Sequence, residues 1–169
     1  LMIFTVPCEL IPFDQTFRLI SMEDTRFLHC NIKTLNLIPS VIAYQRCIEQ
    51  GCQETVFHRG DRVTECAHSN ILMIKDGVLC TPPRDNLILP GITLKHLLML
   101  AEQNGIPTKE APFTMQELAE ADEVIVSSSG GLCTQAVELD GKLVGGKAPE
   151  LLKKLQDAYA AYYAEDTKA

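Results

Sequence analysis

Apolar positions along the chain follow two repeats, one typical of strands and the other of helices. Short apolar runs that end at turn residues predict strands. The predicted strands span 1–6, about 17–23, 53–58, 62–66, 69–75, 78–81, 124–126 and 133–139. The dipeptides Asp76-Gly77 and Asp140-Gly141 predict hairpin turns between antiparallel strands.

Four helices are predicted between and after these strands. The first follows Lys33 and ends before Gly51, on the period of Leu37, Ile38, Val41, Ile42, Gln45 and Ile48. The others are expected at 94–104, at a short helix opened by the capping box Thr114–Glu117, and at about 149–164. Strands outnumber helices and many are joined by hairpins, so the pattern predicts an α+β fold with a largely antiparallel or mixed sheet. Repeats and linkers are not recognisable, which favours one compact unit.

Composition excludes some partners. The 169 residues carry 22 acidic and 15 basic side chains, a net charge of −7, which disfavours nucleic acid or an anionic membrane as the main partner. No apolar run approaches the roughly 18 residues of a membrane helix. The apolar start lacks a basic region and a cleavage site, so it is not interpreted as a signal peptide. The seven cysteines are odd in number and scattered, which favours reduced thiols in a cytoplasmic protein without disulfides or a metal.

Two segments are candidates for binding a phosphate-sized anion. Pro90-Gly91-Ile92-Thr93 precedes a predicted helix, where a glycine admits a ligand to the backbone and free N–H groups attract negative charge. Ser127-Ser128-Ser129-Gly130-Gly131 follows a predicted buried strand, and small polar residues there can wrap a phosphate. Taken alone, the first segment is better explained as an N-cap threonine after a loop glycine, and the second as a polar turn.

Two charged residues are candidates for chemistry. Glu65 lies in a predicted hairpin strand, followed by Ser69-Asn70. A carboxylate held inward there would keep the nitrogen of a heteroaromatic ring protonated, whereas the simpler interpretation is a surface acid. Lys33 is a single lysine in an apolar stretch, which by itself is also typical of a side chain that reaches solvent.

Together these segments resemble the D-amino-acid aminotransferases, of fold-type IV among the pyridoxal-phosphate enzymes. The resemblance rests on the lysine segment His29–Leu37, on Val63-Thr64-Glu65 placed 32 positions after Lys33, and on Leu89–Thr93 and Val126–Ser129. Similar blocks in this order cover essentially the whole chain. The resemblance implies the α+β aminotransferase-like fold, with 1–169 as the C-terminal cofactor-binding domain, a pseudo-barrel of mixed and antiparallel strands with flanking helices.

The resemblance also implies roles for individual residues. Lys33 would form the Schiff base with pyridoxal 5′-phosphate and then move a proton during catalysis, and Glu65 would pair with the pyridine nitrogen. Phosphate contacts are expected from the segment of Gly91, Ile92 and Thr93, and from Ser129. Leu89 would pack on the ring, and Ser128 would lie in a second layer near the pyridine.

The chain departs from the family pattern in several places. Cys66-Ala67-His68 stands where the family has glycine and small hydroxyl residues, Leu94 where an arginine is frequent, and Gly130-Gly131-Leu132 where hydroxyl and acidic residues are frequent. His68 either changes the substrate pocket or points to solvent. The family's smaller N-terminal domain is absent from this chain, so little or no transaminase activity is expected from these residues alone.

Several functions remain open. The leading one is transamination between D-amino acids such as D-alanine and 2-oxo acids such as 2-oxoglutarate. Alternatives are an aminodeoxychorismate lyase or a branched-chain aminotransferase of the same fold, and a non-catalytic cofactor-binding fragment. The resemblance implies a homodimer, and the apolar stretch Leu94–Leu100 is compatible with burial on two sides.

Overall fold

A computed structural model of the chain describes residues 2–7 and 11–168. This part contains nine strands and four helices. The strands are β1 (Thr16–Glu23), β2 (Glu54–Arg59), β3 (Arg62–Cys66), β4 (Asn70–Lys75), β5 (Val78–Thr81), β6 (Thr108–Glu110), β7 (Glu123–Ser127), β8 (Thr134–Leu139) and β9 (Lys142–Leu143). The helices are α1 (Ile38–Glu49), α2 (Ile92–Gln103), α3 (Met115–Ala119) and α4 (Pro149–Asp166).

The strands form one mixed sheet in the order β3-β2-β1-β8-β7-β4-β5-β6, with β9 paired to β8. β1 is parallel to β2 and β8, β5 is parallel to β6, and the other pairs are antiparallel. The segment after β6 joins β3, because the Val63 N–H donates to Phe113 O at 3.0 Å and the Met115 N–H donates to Asp61 O at 2.9 Å. These bonds link the two ends of the strand order into a barrel-like sheet, and the predicted α+β fold is confirmed.

Two apolar layers lie on the two faces of this sheet. Successive side chains of a strand point to opposite faces, and in β4 Ile71 and Met73 join one cluster while Leu72 and Ile74 join the other. The second cluster is completed by α2 and α4. β4 is buried on both faces, which explains its continuous apolar run.

The two Asp-Gly turns form as predicted. Asp76 and Gly77 have φ of 51° and 78°, and Asp140 and Gly141 have 50° and 74°, the left-handed values that a two-residue hairpin of this type requires. The predicted capping box also forms: Thr114 caps α3 through the backbone N–H of Glu117, whose side chain accepts from the Thr114 N–H.

Some elements differ from the sequence-based expectations. The strand expected at 1–6 is wrong for the described residues 2–6, which are exposed and pair with no other strand in the described chain. β6 and β9 were not predicted, since Thr-Lys-Glu and Lys-Leu carry no apolar alternation. The apolar stretch Leu94–Leu100 is buried on two sides, but within this chain, between the sheet and α4. It therefore carries no information on a dimer.

Within the described residues, every helix is too short or too polar to cross a membrane. Six cysteines in the described part are free thiols, and Cys8 lies outside it.

Candidate active site

Glu65 occupies β3 with its side chain turned into the protein. It is 5% exposed. Oε2 accepts from the Leu89 N–H at 2.9 Å and from Asn70 Nδ2 at 3.2 Å, and Oε1 forms an ion pair with Arg26. A carboxylate with three donors is a fixed internal group, so the interpretation of Glu65 as a surface acid is wrong.

Burial and charge act on Glu65 in opposite directions. Burial raises its pKa to about 7, although the Arg26 guanidinium and the Leu89 N–H lower it. The folded chain therefore binds this proton more tightly than the unfolded chain, whose pKa stays near 4.5. The resulting contribution to stability is complete below about pH 4.5 and is lost as the pH rises through about 7.

Glu65→Gln should remove this pH dependence. We expect the unfolding free energy of the wild type to decrease relative to that of the variant as the pH rises from about 4.5 to 7, because glutamine does not titrate. Urea unfolding at several pH values measures it. A difference that stays flat over this interval would contradict the assignment.

Arg26 is held by Asp24 beside Glu65. Its Nε and Nη2 donate to the two oxygens of Asp24 at 2.9 Å each, and Nη2 also donates to Leu87 O at 3.2 Å. The guanidinium lies 4.7 Å from the centre of the Phe57 ring. Such a planar fork bonded on several sides has little freedom to rotate.

Asp24 is fully enclosed by donors. Besides Arg26, it accepts from Arg59 Nε at 3.2 Å and from the Thr64 hydroxyl at 3.1 Å. Burial by itself would raise the pKa of Asp24, but the hydrogen bonds and charge of Arg26, together with Arg59, lower it below its ordinary value. Asp24 is therefore a buried anion that balances two arginines.

Asn70 connects Glu65 to the loop before α2. Its Nδ2 donates to Glu65 and, at 2.8 Å, to Leu89 O. A Cβ at Gly91 would lie 2.4 Å from Asn70 Oδ1. The observed reason for a glycine at 91 is thus the close approach of Asn70, whereas the sequence suggested the approach of a ligand.

Gly91→Ala should disturb the position of Asn70 between Glu65 and Gly91. The added methyl has to displace an amide that is buried and bonded on both sides, so we expect a loss of about 1–3 kcal/mol in unfolding free energy. Chemical denaturation measures it. Gly130→Ala is the matched control, since nothing lies within 4 Å of its Cβ position. Equal stabilities of the two variants would contradict the role of Asn70.

The N-terminus of α2 is open to a ligand. Gly91 is its N-cap and forms no side-chain cap, and the first turn has no acidic residue. Ile92 is 69% exposed and Thr93 is buried. The N-cap threonine considered from the sequence is therefore wrong. Helix N–H groups without a side-chain cap are a general binding feature for anions.

The serine segment follows β7 and begins next to Asn70. Ser127 pairs in register with Asn70, and its buried hydroxyl has no partner among the described residues. The Ser128 hydroxyl accepts from the Gly131 N–H at 3.0 Å, so it is already engaged in the turn. Ser129 is exposed.

Lys33 is exposed in the loop between β1 and α1. The loop is tied to the segment before α2, because the Cys30 N–H donates to Asn86 O at 2.9 Å and Asn86 Nδ2 donates to Leu28 O at 2.7 Å. The same segment contacts Glu65 through Leu89. Lys33 itself forms no hydrogen bond with another predicted site residue in the described chain.

His68 packs against α1. Its side chain is 48% exposed, and Nδ1 is 3.9 Å from Glu54 Oε1. The ring packs edge-on against Tyr44 with centroids 4.4 Å apart. Ser69 donates to Glu54 at 2.8 Å, so it serves Glu54, whose pKa burial raises, and only Asn70 of the predicted Ser69-Asn70 pair serves Glu65.

These residues together fit a phosphorylated heteroaromatic aldehyde. An exposed amine, a buried carboxylate and a helix N-terminus without a side-chain cap are the three groups that such a cofactor requires. Hydrogen bonds and a close approach connect Glu65, Asn70, Leu89 and Gly91, whereas no hydrogen bond in the described chain connects Lys33, Thr93 or Ser129 to them. Sequence reasoning missed Asp24, Arg26 and Arg59. The only signal was a pair of opposite charges two positions apart, directly after an apolar strand.

The sequence of this chain is similar to those of known proteins. The family model described as amino-transferase class IV matches residues 12–139. The chain is 44% identical to a D-alanine aminotransferase of Listeria monocytogenes over 91% of this chain and 52% of the relative. It is 43% identical to one of Staphylococcus haemolyticus over 84% and 51%. The chain thus spans about half the length of these curated relatives.

Solved structures share the fold. A branched-chain amino acid aminotransferase of Escherichia coli superposes with a TM-score of 0.78 at 28% identity, over 86% of this chain and 52% of that one. A putative 4-amino-4-deoxychorismate lyase of Legionella pneumophila gives 0.71 at 25% identity, over 85% and 56%. The match over most of the chain, together with the relatives above 40% identity, shows that this chain belongs to the class IV aminotransferases.

Proposed function

We propose that this chain is the cofactor-binding part of a pyridoxal-phosphate-dependent transaminase that moves an amino group between D-amino acids such as D-alanine and 2-oxo acids such as 2-oxoglutarate. The observation that carries the cofactor assignment is the buried carboxylate of Glu65, fixed by Arg26, Asn70 and Leu89. The names and identities of the D-alanine aminotransferase relatives support the substrate class.

When bound, the cofactor supplies an electron-withdrawing ring that stabilises negative charge on the substrate carbon bearing the amino group. Lys33 would hold the cofactor through its aldehyde carbon, and its freed amine would take the proton from the substrate carbon and deliver it to that cofactor carbon. Glu65 holds the proton on the ring nitrogen. Its buried carboxylate makes this ion pair stronger than it would be in water.

Three segments hold the rest of the cofactor. The backbone N–H groups of Ile92 and Thr93, with the Thr93 hydroxyl, bind the phosphate at the N-terminus of α2. The exposed Ser129 adds a hydroxyl. Leu89 packs on one face of the ring, and Ser128 supports the turn behind Ser129 through its bond to Gly131.

Reduction of the bound cofactor tests this assignment. Pyridoxal phosphate is added to the purified chain, the absorbance spectrum is recorded, and borohydride then fixes any amine–cofactor bond for peptide mapping by mass spectrometry. We expect a band shifted from that of free cofactor and a label confined to the peptide that contains Lys33. A label spread over several exposed lysines would refute the proposal.

Product assays separate the transaminase from its alternatives. Pyruvate forms from D-alanine only when a 2-oxo acid acceptor is present, whereas a lyase releases pyruvate from its substrate without any acceptor. A branched-chain aminotransferase would prefer L-valine and L-leucine. Cofactor binding without any product would leave the non-catalytic fragment.

The relatives' additional length supports a further proposal about the site. We propose that a smaller N-terminal domain completes the site, so that these 169 residues alone turn over substrate slowly. An intact parent protein heavier than 18.7 kDa would agree.

We also propose a cytoplasmic homodimer, consistent with exposed apolar side chains on and before α1. These are Leu35, Leu37, Ile38, Val41, Ile42 and Ile48. Light scattering that gives a monomer mass would contradict the dimer.

A further inference from the structure

The hydrogen bonds around Glu65 leave one acceptor position free. An ionised carboxylate has about four lone-pair positions. Among the described residues, Asn70 and Leu89 occupy two positions on Oε2, and Arg26 occupies one on Oε1. The remaining position is on Oε1, the oxygen that Arg26 contacts.

Every one of these partners is a donor. The groups that face Glu65 are the Leu89 N–H, Asn70 Nδ2 and the Arg26 guanidinium, and none of them can accept a hydrogen bond from a protonated Glu65. The proton of a neutral Glu65 would have to occupy the one free position on Oε1, where none of these groups accepts it. The donor set therefore favours the ionised form against the effect of burial.

Arg26 is the charged member of the set, and its direction is fixed from behind. Asp24 takes two of its N–H groups, Leu87 O takes another, and Phe57 covers one face. Only the Nη1 end reaches Glu65. A guanidinium so constrained fixes the rotation of the carboxylate that it contacts.

We propose that Arg26, anchored by Asp24, is a positioning residue that favours the ionised form of Glu65 and holds it in one orientation, with one Oε1 lone pair presented to the nitrogen of a pyridine ring. The role in ring binding rests on the proposed function. The effect on Glu65 itself does not, because it belongs to the cofactor-free chain.

The other titratable groups near Glu65 do not replace Arg26. Asp24 is an anion and works in the opposite direction. Cys30 and Cys66 are thiols whose pKa values are raised by burial, so they remain neutral. Arg59 bonds to Asp24 and to the Arg26 and Phe27 carbonyls, without a contact to Glu65.

The test is a carbon-13 NMR titration of the Glu65 carboxyl in the cofactor-free chain, assigned with Glu65→Gln. We expect Arg26→Gln to raise the pKa of Glu65 by about one unit or more, which is tenfold or more in proton affinity. Arg59→Gln is the matched control, since it removes an arginine from the same Asp24; its shift should be well below that of Arg26→Gln. Equal shifts in the two variants, or none in Arg26→Gln, would overturn the proposal.

Arg26→Lys is the alternative variant for this titration if Arg26→Gln does not fold. A lysine ammonium keeps the charge but cannot contact Asp24 and Glu65 as a fork. We expect a rise in the Glu65 pKa between those of Arg59→Gln and Arg26→Gln. A Glu65 pKa no higher than that of Arg59→Gln would overturn the role of the fork.

A second readout concerns cofactor binding. Absorbance titration with pyridoxal phosphate should show weaker binding by Arg26→Gln at pH 8, with a smaller deficit at lower pH. If the wild-type chain forms no adduct at Lys33, the proposed function fails for this chain, while the NMR titration still decides the role of Arg26.

Discussion

Lys33→Ala should abolish covalent binding of pyridoxal phosphate to this chain. The shifted absorbance band disappears and borohydride fixes no label, because no other amine stands at this place in the loop. In a protein that also contains the relatives' remaining length, we expect transamination to fall by roughly 10²- to 10⁴-fold, since the group that moves the substrate proton is lost. Spectra and a pyruvate assay measure the two effects.

Lys142→Ala is the matched control for this experiment. Lys142 is an exposed lysine on β9 and belongs to no part of the proposed site. It should leave the band and the labelled peptide unchanged. A band that survives Lys33→Ala at full intensity would show that another amine binds the cofactor.

Asp24→Ala should destabilise the fold more than any other substitution considered for the buried charges. It leaves Arg26 and Arg59 next to each other without the carboxylate that both contact. Removing one partner of a buried ion pair costs about 3–5 kcal/mol, which in a chain of this size lowers the melting temperature by roughly 10 °C. Thermal and urea unfolding measure the loss.

Two comparisons make this prediction specific. Asp157→Ala removes an exposed carboxylate that pairs with Lys153, and such a pair contributes about 0.5 kcal/mol or less. The Asp24 contribution should also weaken as the pH falls through the lowered pKa of Asp24, because the folded chain then gains a proton on this group. A loss equal to that of Asp157→Ala would show that the two arginines find other partners.

The sequence predicted the sheet well because its signals are local. The apolar run of β4 and the Asp76-Gly77 turn each depend on neighbouring residues only. Residues 1–6 show the limit of this reasoning. Their apolar pattern is typical of a strand, yet residues 2–6 have no partner strand in the described chain.

The same limit applies to the site. Lys33, Glu65 and the phosphate segment were predicted as single residues in a characteristic order. Their contacts were not, because Arg26 meets Glu65 across 39 positions of the chain and Leu89 meets Glu65 across 24. Likewise, nothing local to Gly91 predicts that Asn70 lies against it. Such pairs depend on which strands become neighbours in the sheet.

The place of β1 in the sheet has a consequence for how the chain is made. β1 is paired on one side with β2 and on the other with β8, more than 100 residues later, and the Ser21 N–H and hydroxyl both donate to Asp140 at 2.7 Å. Parallel pairing over such a distance gives a high contact order and slow folding. While the ribosome is still synthesising β7, one edge of β1 is exposed and open to pairing with other chains. Release of the segment up to Asp140 is therefore the step that allows this edge of β1 to be covered within the chain.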